Sequence, residues 1–174
     1  MFQDTQKLVA WKIAELREEI QEATDEKRYS GHTTDGDMMD DPIMHGQMER
    51  IALTQIQIIK LEPYLQPNVS FIKPTSPNQD TGIEIGHRIQ LQVMYADGEK
   101  EVYFATIGTA IDHSLMGVNR KYFDGQSEVL ISEDSSLGQT LLGARTNQNL
   151  MYMSPGGNNR VTILAVEVSP FAQK

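Results

Sequence analysis

The chain has 174 residues, which is enough for one domain or two small ones. Its composition, 39% hydrophobic and 22% charged, is ordinary for a soluble globular protein. Because there is no cysteine, disulfides and thiolate metal sites are excluded, and we expect a cytoplasmic protein. A net charge of −9 argues against a broad nucleic-acid-binding face, so any such contact should be local or made through a protein partner. No apolar run approaches the ~18 residues of a membrane span, so we expect no membrane association.

The N-terminal part has the pattern of a long amphipathic helix. Apolar residues recur at the spacing of a coiled-coil seam, at Phe2, Val9, Ile13, Leu16, Ile20 and Ala23. The pattern predicts one helix over residues 3–29, roughly 40 Å long at 1.5 Å per residue. A helix of that length with one narrow apolar stripe requires a partner.

The partner is predicted to follow a turn. Asp41 and Pro42 form a typical helix start, with a capping aspartate before a proline at the first helical position. Pro63 ends this second helix, and Gln55 interrupts its seam. The seam residues are Met44, Met48, Ile51 and Ile58. Residues 1–66 are therefore predicted to form an antiparallel coiled-coil hairpin with an acidic tip at 33–41.

The pattern changes after the hairpin. Residues 67–81 are rich in proline and turn formers and predict a linker. Beyond them the apolar period is two, which predicts a domain over 82–174 made of an antiparallel sheet. We expect a hairpin turn at Asp97-Gly98, a loop over 112–128 and a short helix, SLGQTLLG, capped by Asp134 or Ser135. The predicted fold class is α+β with two domains.

Three motifs resemble the Gre family of bacterial transcript-cleavage factors. The segment ISEDSSLGQTLLGA (131–144) is similar to the family element I-S-x-x-S-P-x-A-x-x-L-I-G. MSPGGNNRVTILAVEV (153–168) is similar to its T-P-G-G ending, and GDMMDD (36–41) lies where the family has G-D-L-x-E-N at the hairpin tip. The resemblance covers nearly the whole chain, and its C-terminal part is the more specific.

The resemblance implies a fold and a function. Family members dock an FKBP-like C-terminal domain on the rim of the secondary channel of RNA polymerase. Their coiled coil passes down the channel, and the acidic tip stimulates hydrolysis of backtracked RNA. For this chain it implies a factor that is not an enzyme alone, expected to act as a monomer. Its partners would be bacterial RNA polymerase and the 3′ end of the nascent RNA.

The tip aspartates fit that chemistry. Hydrolysis by two metal ions requires carboxylates for the second ion and an activated water, and Mg²⁺ prefers carboxylate and water oxygens. Asp37 and Asp40 match the acidic pair of the family and are the candidate catalytic and Mg²⁺-holding residues, in complex with polymerase only. No cofactor is expected to stay bound to the free protein. Asp41 and Asp35 are secondary, because a helix cap and a turn also explain them.

Other candidates are weaker. Lys27, Arg28 and Arg50 are candidates for contact with extruded RNA phosphates, although pairing with neighbouring acids on a solvated face explains them as well. No zinc-binding spacing is found for His32 and His45, and His87 and His113 resemble ordinary surface or strand residues. Trp11 is expected to serve packing, whereas Met38 and Met39 at an exposed tip need burial against a partner.

Docking is assigned to Asp134, Ser135 and Ser136, where family members contact polymerase. Ser136 replaces the proline usual in the family, which bears on the strength of docking. Asp41 and Met44 replace the family's asparagine and aromatic residue after the acidic pair. These departures leave room for a divergent member.

Two alternative functions stay open. A Gre-like factor of the inhibitor class would enter the same channel and obstruct it without cleavage. An FKBP-like peptide-binding module would need an aromatic pocket, for which the second domain offers Tyr95, Tyr103, Phe104, Tyr122, Phe123 and Tyr152.

Overall fold

The computed structural model describes residues 1–30, 42–78, 81–116 and 128–172. By contacts the chain divides into two compact units, Gln6–Val69 and a second unit of Met1–Thr5 with Ser70–Lys174. We call them the helical unit and the sheet unit. Among the described residues, no helix is both long enough and apolar enough to cross a bilayer.

The helical unit contains two long helices. Helix α1 spans Gln3–Ser30 and α2 spans Pro42–Leu61, close to the bounds predicted from the apolar period and from Pro42. A 3-10 turn at Glu62–Leu65 follows α2, because Pro63 cannot continue an α-helix. Arg17 pairs with Glu62 at 3.5 Å. This contact joins α1 to the 3-10 turn that follows α2; the antiparallel coiled-coil hairpin stays a prediction.

The seam of α1 is buried or half-buried as expected, and so are Met44, Ile51 and Ile58 of the predicted seam on α2, but Met48 is not. Met48 is 51% exposed and Gln55 is exposed, whereas Thr54 is buried. The stripe that is buried or half-buried alternates by three and four residues through Met44, Gln47, Ile51, Thr54, Ile58 and Leu61. The error arose because apolar Met48 lies next to Gln47, so hydrophobicity favoured the neighbour of the true seam position. The predicted packing role of Trp11 is also wrong, since this side chain is 64% exposed.

The sheet unit is built on five strands in the order β3-β2-β1-β5-β4. Their bounds are His87–Met94 (β1), Lys100–Gly108 (β2), Glu128–Ser132 (β3), Asn149–Ser154 (β4) and Gly157–Val168 (β5). Strand β1 pairs antiparallel with β2, around the predicted Asp97-Gly98 turn, and with β5. The prediction of a wholly antiparallel sheet is wrong, because β2 and β3 are parallel.

The parallel pair explains a second error. Parallel neighbours need a long crossover connection, often helical, and the chain between β2 and β3 contains helix α3, Ala110–Met116. The loop predicted over 112–128 is therefore helix at its start and strand at Glu128. A fourth helix, α4, spans Ser136–Leu141 as predicted. The core under the sheet is aliphatic and consists mainly of Ile89, Leu91, Val93, Ile107, Leu141, Val161 and Ile163.

The start of α1 belongs to the sheet unit through one buried carboxylate, that of Asp112 on α3. Its Oδ1 accepts hydrogen bonds from the Phe2 backbone N–H at 2.9 Å and from Thr5 Oγ1 at 2.5 Å. Its Oδ2 accepts from the Thr109 N–H at 2.9 Å and from Thr109 Oγ1 at 2.6 Å. The Phe2 ring lies 5.8 Å from that of Phe171. The domain boundaries predicted from the sequence, a hairpin ending at 66 and a sheet domain beginning at 82, stay predictions.

A histidine holds the chain that leads into β1. His87 is the first residue of β1, which agrees with the strand alternative, and it is fully buried, which excludes the surface one. Its Nδ1 accepts from the Glu84 N–H at 3.0 Å, so the ring proton sits on Nε2, which donates to the Thr75 carbonyl at 2.8 Å. The Thr75 N–H donates in turn to Glu84, and this bond holds the pKa of that carboxyl below its usual range.

Candidate functional site

The predicted tip lies outside the described residues. This applies to Asp35, Asp37, Asp40 and Asp41, and to His32, Met38 and Met39. Helix α1 ends at Ser30 and α2 begins at Pro42, so the segment that carries the aspartates connects the two helices. The catalytic and Mg²⁺-holding roles of Asp37 and Asp40 stay predictions.

The basic candidates behind the tip are placed only in part. Lys27 and Arg28 lie in α1, but their side chains are not among those described, and Arg50 is exposed on α2. Their convergence on RNA therefore stays a prediction. His45 is exposed on α2, and within the described ranges no three His, Asp or Glu side chains are grouped as a metal site.

The turn between β3 and α4 carries the predicted docking residues. Ser135 is the N-cap of α4: its Oγ accepts from the Gly138 N–H at 3.0 Å and donates to the Ser132 carbonyl at 2.8 Å. Of the two predicted caps, the serine is therefore the one used. Asp134 is exposed on the same turn, and its carboxylate faces solvent. Ser135 thus caps the helix, and the adjacent Asp134 carries the exposed charge.

Gly138, for which the sequence predicted no role, makes this turn compact. A Cβ added to Gly138 would lie 2.1 Å from the Ser132 carbonyl oxygen, so no larger residue fits without moving the backbone. The only signal in the sequence was a glycine inside the short helix SLGQTLLG, where glycine is otherwise unfavourable. Gly138 and Ser135 together fix where Asp134 is presented.

Ser136 is exposed and is the first residue of α4, a position where proline is favourable because its missing N–H has no helical partner. We expect Ser136→Pro to raise the free energy of unfolding by about 0.4–1 kcal/mol, because it restricts the unfolded chain. Urea unfolding followed by circular dichroism would measure the change. A loss of more than about 1 kcal/mol would show that the backbone at 136 cannot accept proline.

The aromatic residues of the sheet unit lie on different faces. Tyr95 donates to Glu101 Oε2 at 2.7 Å, and this bond raises the pKa of Tyr95 to about 12. Burial raises the pKa of Tyr103, which packs with Tyr95 on the core side. Phe104 lies on the opposite face, with its ring centroid 4.2 Å from the Arg88 guanidinium carbon. Tyr152 also packs on the core side, so three of the described candidates share that side and Phe104 does not; Tyr122 and Phe123 lie outside the described residues.

Arg88 anchors that opposite face. It pairs with Glu128 at 3.2 Å and with Glu167 at 2.8 Å, and Thr106 Oγ1 donates to Glu128 at 2.6 Å. Glu128 is 2% exposed, so its charge is compensated by Arg88 within the protein. These residues hold β3 onto the sheet and are structural.

Comparisons with known proteins give weak likenesses. No family model and no curated protein matches the chain. Among solved structures, GreA factor homolog 1 (Gfh1) of Thermus thermophilus shares 20% identity over 93% of this chain and 94% of its own, with a TM-score of 0.35. Gfh1 of Thermus aquaticus shares 20% over 96% of both, with a TM-score of 0.37.

A third structure, described as the prokaryotic transcription elongation factor GreA/GreB from Nitrosomonas europaea, shares 18% identity over 68% of this chain and 90% of its own, with a TM-score of 0.35. These names belong to the family that the sequence motifs resemble. Likenesses at such identities and TM-scores do not show the function of this chain. Its function is therefore proposed from its own residues.

Proposed function

We propose that the chain is an accessory factor of transcription elongation that binds bacterial RNA polymerase and acts through it. The observation that carries this proposal is the turn between β3 and α4. There the motif ISEDSSLGQTLLGA forms a capped turn that presents Asp134 at the surface. A compact turn with an exposed charge is suited to recognition, because binding it costs little conformational entropy.

The second support is the distribution of roles along the chain. The segment with Asp37 and Asp40 connects two long helices, whereas the docking residues belong to the sheet unit. A factor that docks through one unit and reaches a buried active site with the other needs this division. The proposed docking surface is the rim of the secondary channel, contacted by Asp134, Ser135 and Ser136.

In the proposed mechanism, Asp37 and Asp40 enter the polymerase active site at the end of the helical unit. Their carboxylates would hold a second Mg²⁺ and orient the attacking water toward the backtracked RNA. The ion supplies charge stabilisation at the phosphate and an acidified water. Lys27, Arg28 and Arg50 contact phosphates of the extruded RNA. The protein acts as a monomer and without a cofactor of its own.

A second candidate function is inhibition through the same channel. It is favoured by the departures at the tip, where Asp41 and Met44 replace the asparagine and aromatic residue of the family. Met44 is half-buried on α2, so it does not replace an exposed aromatic side chain. An obstructing tip needs acidic charge but no positioned water. A peptide-binding module is the least supported, since Tyr95, Tyr103 and Tyr152 pack against the sheet's own core and Phe104 is covered by Arg88.

The test uses a stalled elongation complex of bacterial RNA polymerase, with its RNA labelled at the 5′ end. Adding the protein with Mg²⁺ is expected to shorten the RNA from its 3′ end, and removing Mg²⁺ with a chelator should stop the shortening. Slowed extension without shortening would support inhibition. An RNA unchanged in both length and extension rate, at saturating protein, would contradict both functions.

A further inference from the structure

Strand β4 has an unpaired edge. It is the last strand of the sheet, with β5 on one side and no described residue paired with its other side. In an antiparallel ladder, hydrogen-bonded and non-hydrogen-bonded residue pairs alternate. Counted from the hairpin pair Ser154↔Gly157, the hydrogen-bonded pairs between β4 and β5 are Tyr152↔Asn159 and Leu150↔Val161. The hydrogen bond from the Ile163 N–H to the Gln148 carbonyl fits this alternation, since these two residues lie at the next hydrogen-bonded position of the ladder. The backbone N–H and C=O of Met151 and Met153 therefore point away from the sheet.

The side chains of the same two residues are exposed. Met151 is 64% exposed and Met153 is 71% exposed, on the face opposite the aliphatic core. Natural edge strands are usually protected by charged residues, proline or a bulge. Strand β4, with the sequence NLMYMS, has six residues and none of these three, and helix α4 packs against it from the core side, where Leu141 lies. Free backbone groups and exposed apolar side chains thus coincide on one strand.

The face next to this edge carries two cations, whereas the acids Asp97 and Glu99 belong to the turn that lines a hollow with Ser154. The registers place Lys100 opposite Met94, Met94 opposite Arg160, and Arg160 opposite Met151, so the four residues form one row across the sheet. Lys100 and Arg160 are exposed, and neither pairs with an acidic side chain in the described part of the chain. Glu101 lies on the core side, bonded to Tyr95. In a chain of net charge −9 this row is locally basic and apolar.

We infer that the β4 edge, defined by Met151 and Met153, binds an extended segment of a partner protein that carries apolar and acidic side chains. The segment adds as a sixth strand: its backbone pairs with the free groups of Met151 and Met153, its apolar side chains cover their thioethers, and its acidic side chains meet Arg160. This inference goes beyond the proposed function, which uses the tip and the turn between β3 and α4.

Distance and charge favour this occupant over a second copy of the chain. An added strand would lie two strand spacings, about 10 Å, from β5, a gap that a glutamate and the long side chain of Arg160 can bridge. In a second copy, β4 offers no carboxylate, and a symmetric pairing would bring two Arg160 side chains toward each other. Charge complementarity therefore selects an acidic segment.

The test uses the full chain and a fluorescein-labelled eight-residue peptide of alternating valine and glutamate, followed by fluorescence anisotropy. We expect saturable binding, and at least about tenfold weaker binding of the valine–lysine peptide. N-methylation of one alternate set of peptide residues should weaken binding at least tenfold, whereas methylation of the other set should have little effect. This pair of peptides reports strand addition on the unmodified protein.

Protein variants locate the site. Met151→Pro removes one outward N–H and no bond to β5, so binding of the valine–glutamate peptide should fall at least tenfold while the circular dichroism spectrum is kept. Val102→Ser removes an exposed apolar side chain from the same face, but on β2, and should not change binding. Arg160→Gln should weaken binding and reduce its dependence on salt.

Three outcomes would overturn the inference. The first is equal binding of the valine–glutamate and valine–lysine peptides. The second is binding that neither Met151→Pro nor either N-methylated peptide affects. The third is a concentration-dependent dimer in sedimentation velocity that Met151→Pro abolishes, because the edge would then belong to a second copy of the chain.

Discussion

Replacing Asp112 by alanine is expected to lower the free energy of unfolding by at least about 3 kcal/mol. The substitution removes four hydrogen bonds and leaves the Phe2 and Thr109 N–H groups without their acceptor. Each buried polar group without a partner costs about 1–3 kcal/mol. Because Phe2 is 1% exposed, water cannot replace the carboxylate without opening the packing around this ring. Urea unfolding of the full chain, followed by circular dichroism, would measure the loss.

Two variants control this measurement. Asp112→Asn keeps one acceptor oxygen and should cost less than Asp112→Ala. Asp134→Ala removes an exposed carboxylate that caps no helix and should change stability by less than about 0.5 kcal/mol. If Asp112→Ala were as stable as Asp134→Ala, the first residues of α1 would not depend on this carboxylate.

An Asp37→Asn/Asp40→Asn variant is expected to lose RNA cleavage stimulation by at least about 100-fold. Even groups that only orient metal ligands change metal affinity or activity by about 10- to 100-fold when they are replaced, so loss of the two proposed ligands should cost no less. Asparagine keeps the size and one oxygen but removes the negative charge that holds Mg²⁺. Binding to polymerase, measured by competition with the wild-type protein, should be unchanged because the proposed docking residues lie elsewhere.

The tip offers a matched control. Asp35→Asn/Asp41→Asn removes the same number of negative charges from the same segment, but at other positions. It should reduce stimulation by no more than a fewfold. A similar loss in both variants would mean that total charge matters and not the positions of Asp37 and Asp40. Wild-type stimulation by the Asp37→Asn/Asp40→Asn variant would contradict the proposed mechanism.

The sequence predicted those elements that local patterns determine. The bounds of α1 and α2 followed from a sustained apolar period and from Pro42 and Pro63, and α4 followed from a cap at Asp134 or Ser135 and a glycine stop. The β1–β2 hairpin followed from alternation around Asp97-Gly98. Each of these signals lies within a few residues of the structure that it determines.

The errors concern interactions between distant parts of the chain. Strand β3 has five residues, and nothing in them shows that they pair parallel with β2. The buried His87 ring donates a hydrogen bond to the carbonyl of Thr75, twelve residues earlier. No local pattern in the sequence indicates this bond. On α2 the buried stripe includes Gln47 and Thr54, so hydrophobicity alone assigned the seam to Met48. The capped turn before α4 was predicted, but the close approach of Gly138 to Ser132 depends on three-dimensional packing.

The bonds of Asp112 to Phe2 and Thr5 also set an order for folding during synthesis. The ribosome makes Phe2 110 residues before Asp112, which at 5–20 residues per second is a delay of roughly 5–20 s. Throughout that interval the first turn of α1 lacks the acceptor that it finally uses. Strand β5, which pairs with β1, is made later still. The first turn of α1 therefore gains this acceptor late in synthesis, and slower translation lengthens the interval before Phe2 and Asp112 can bond.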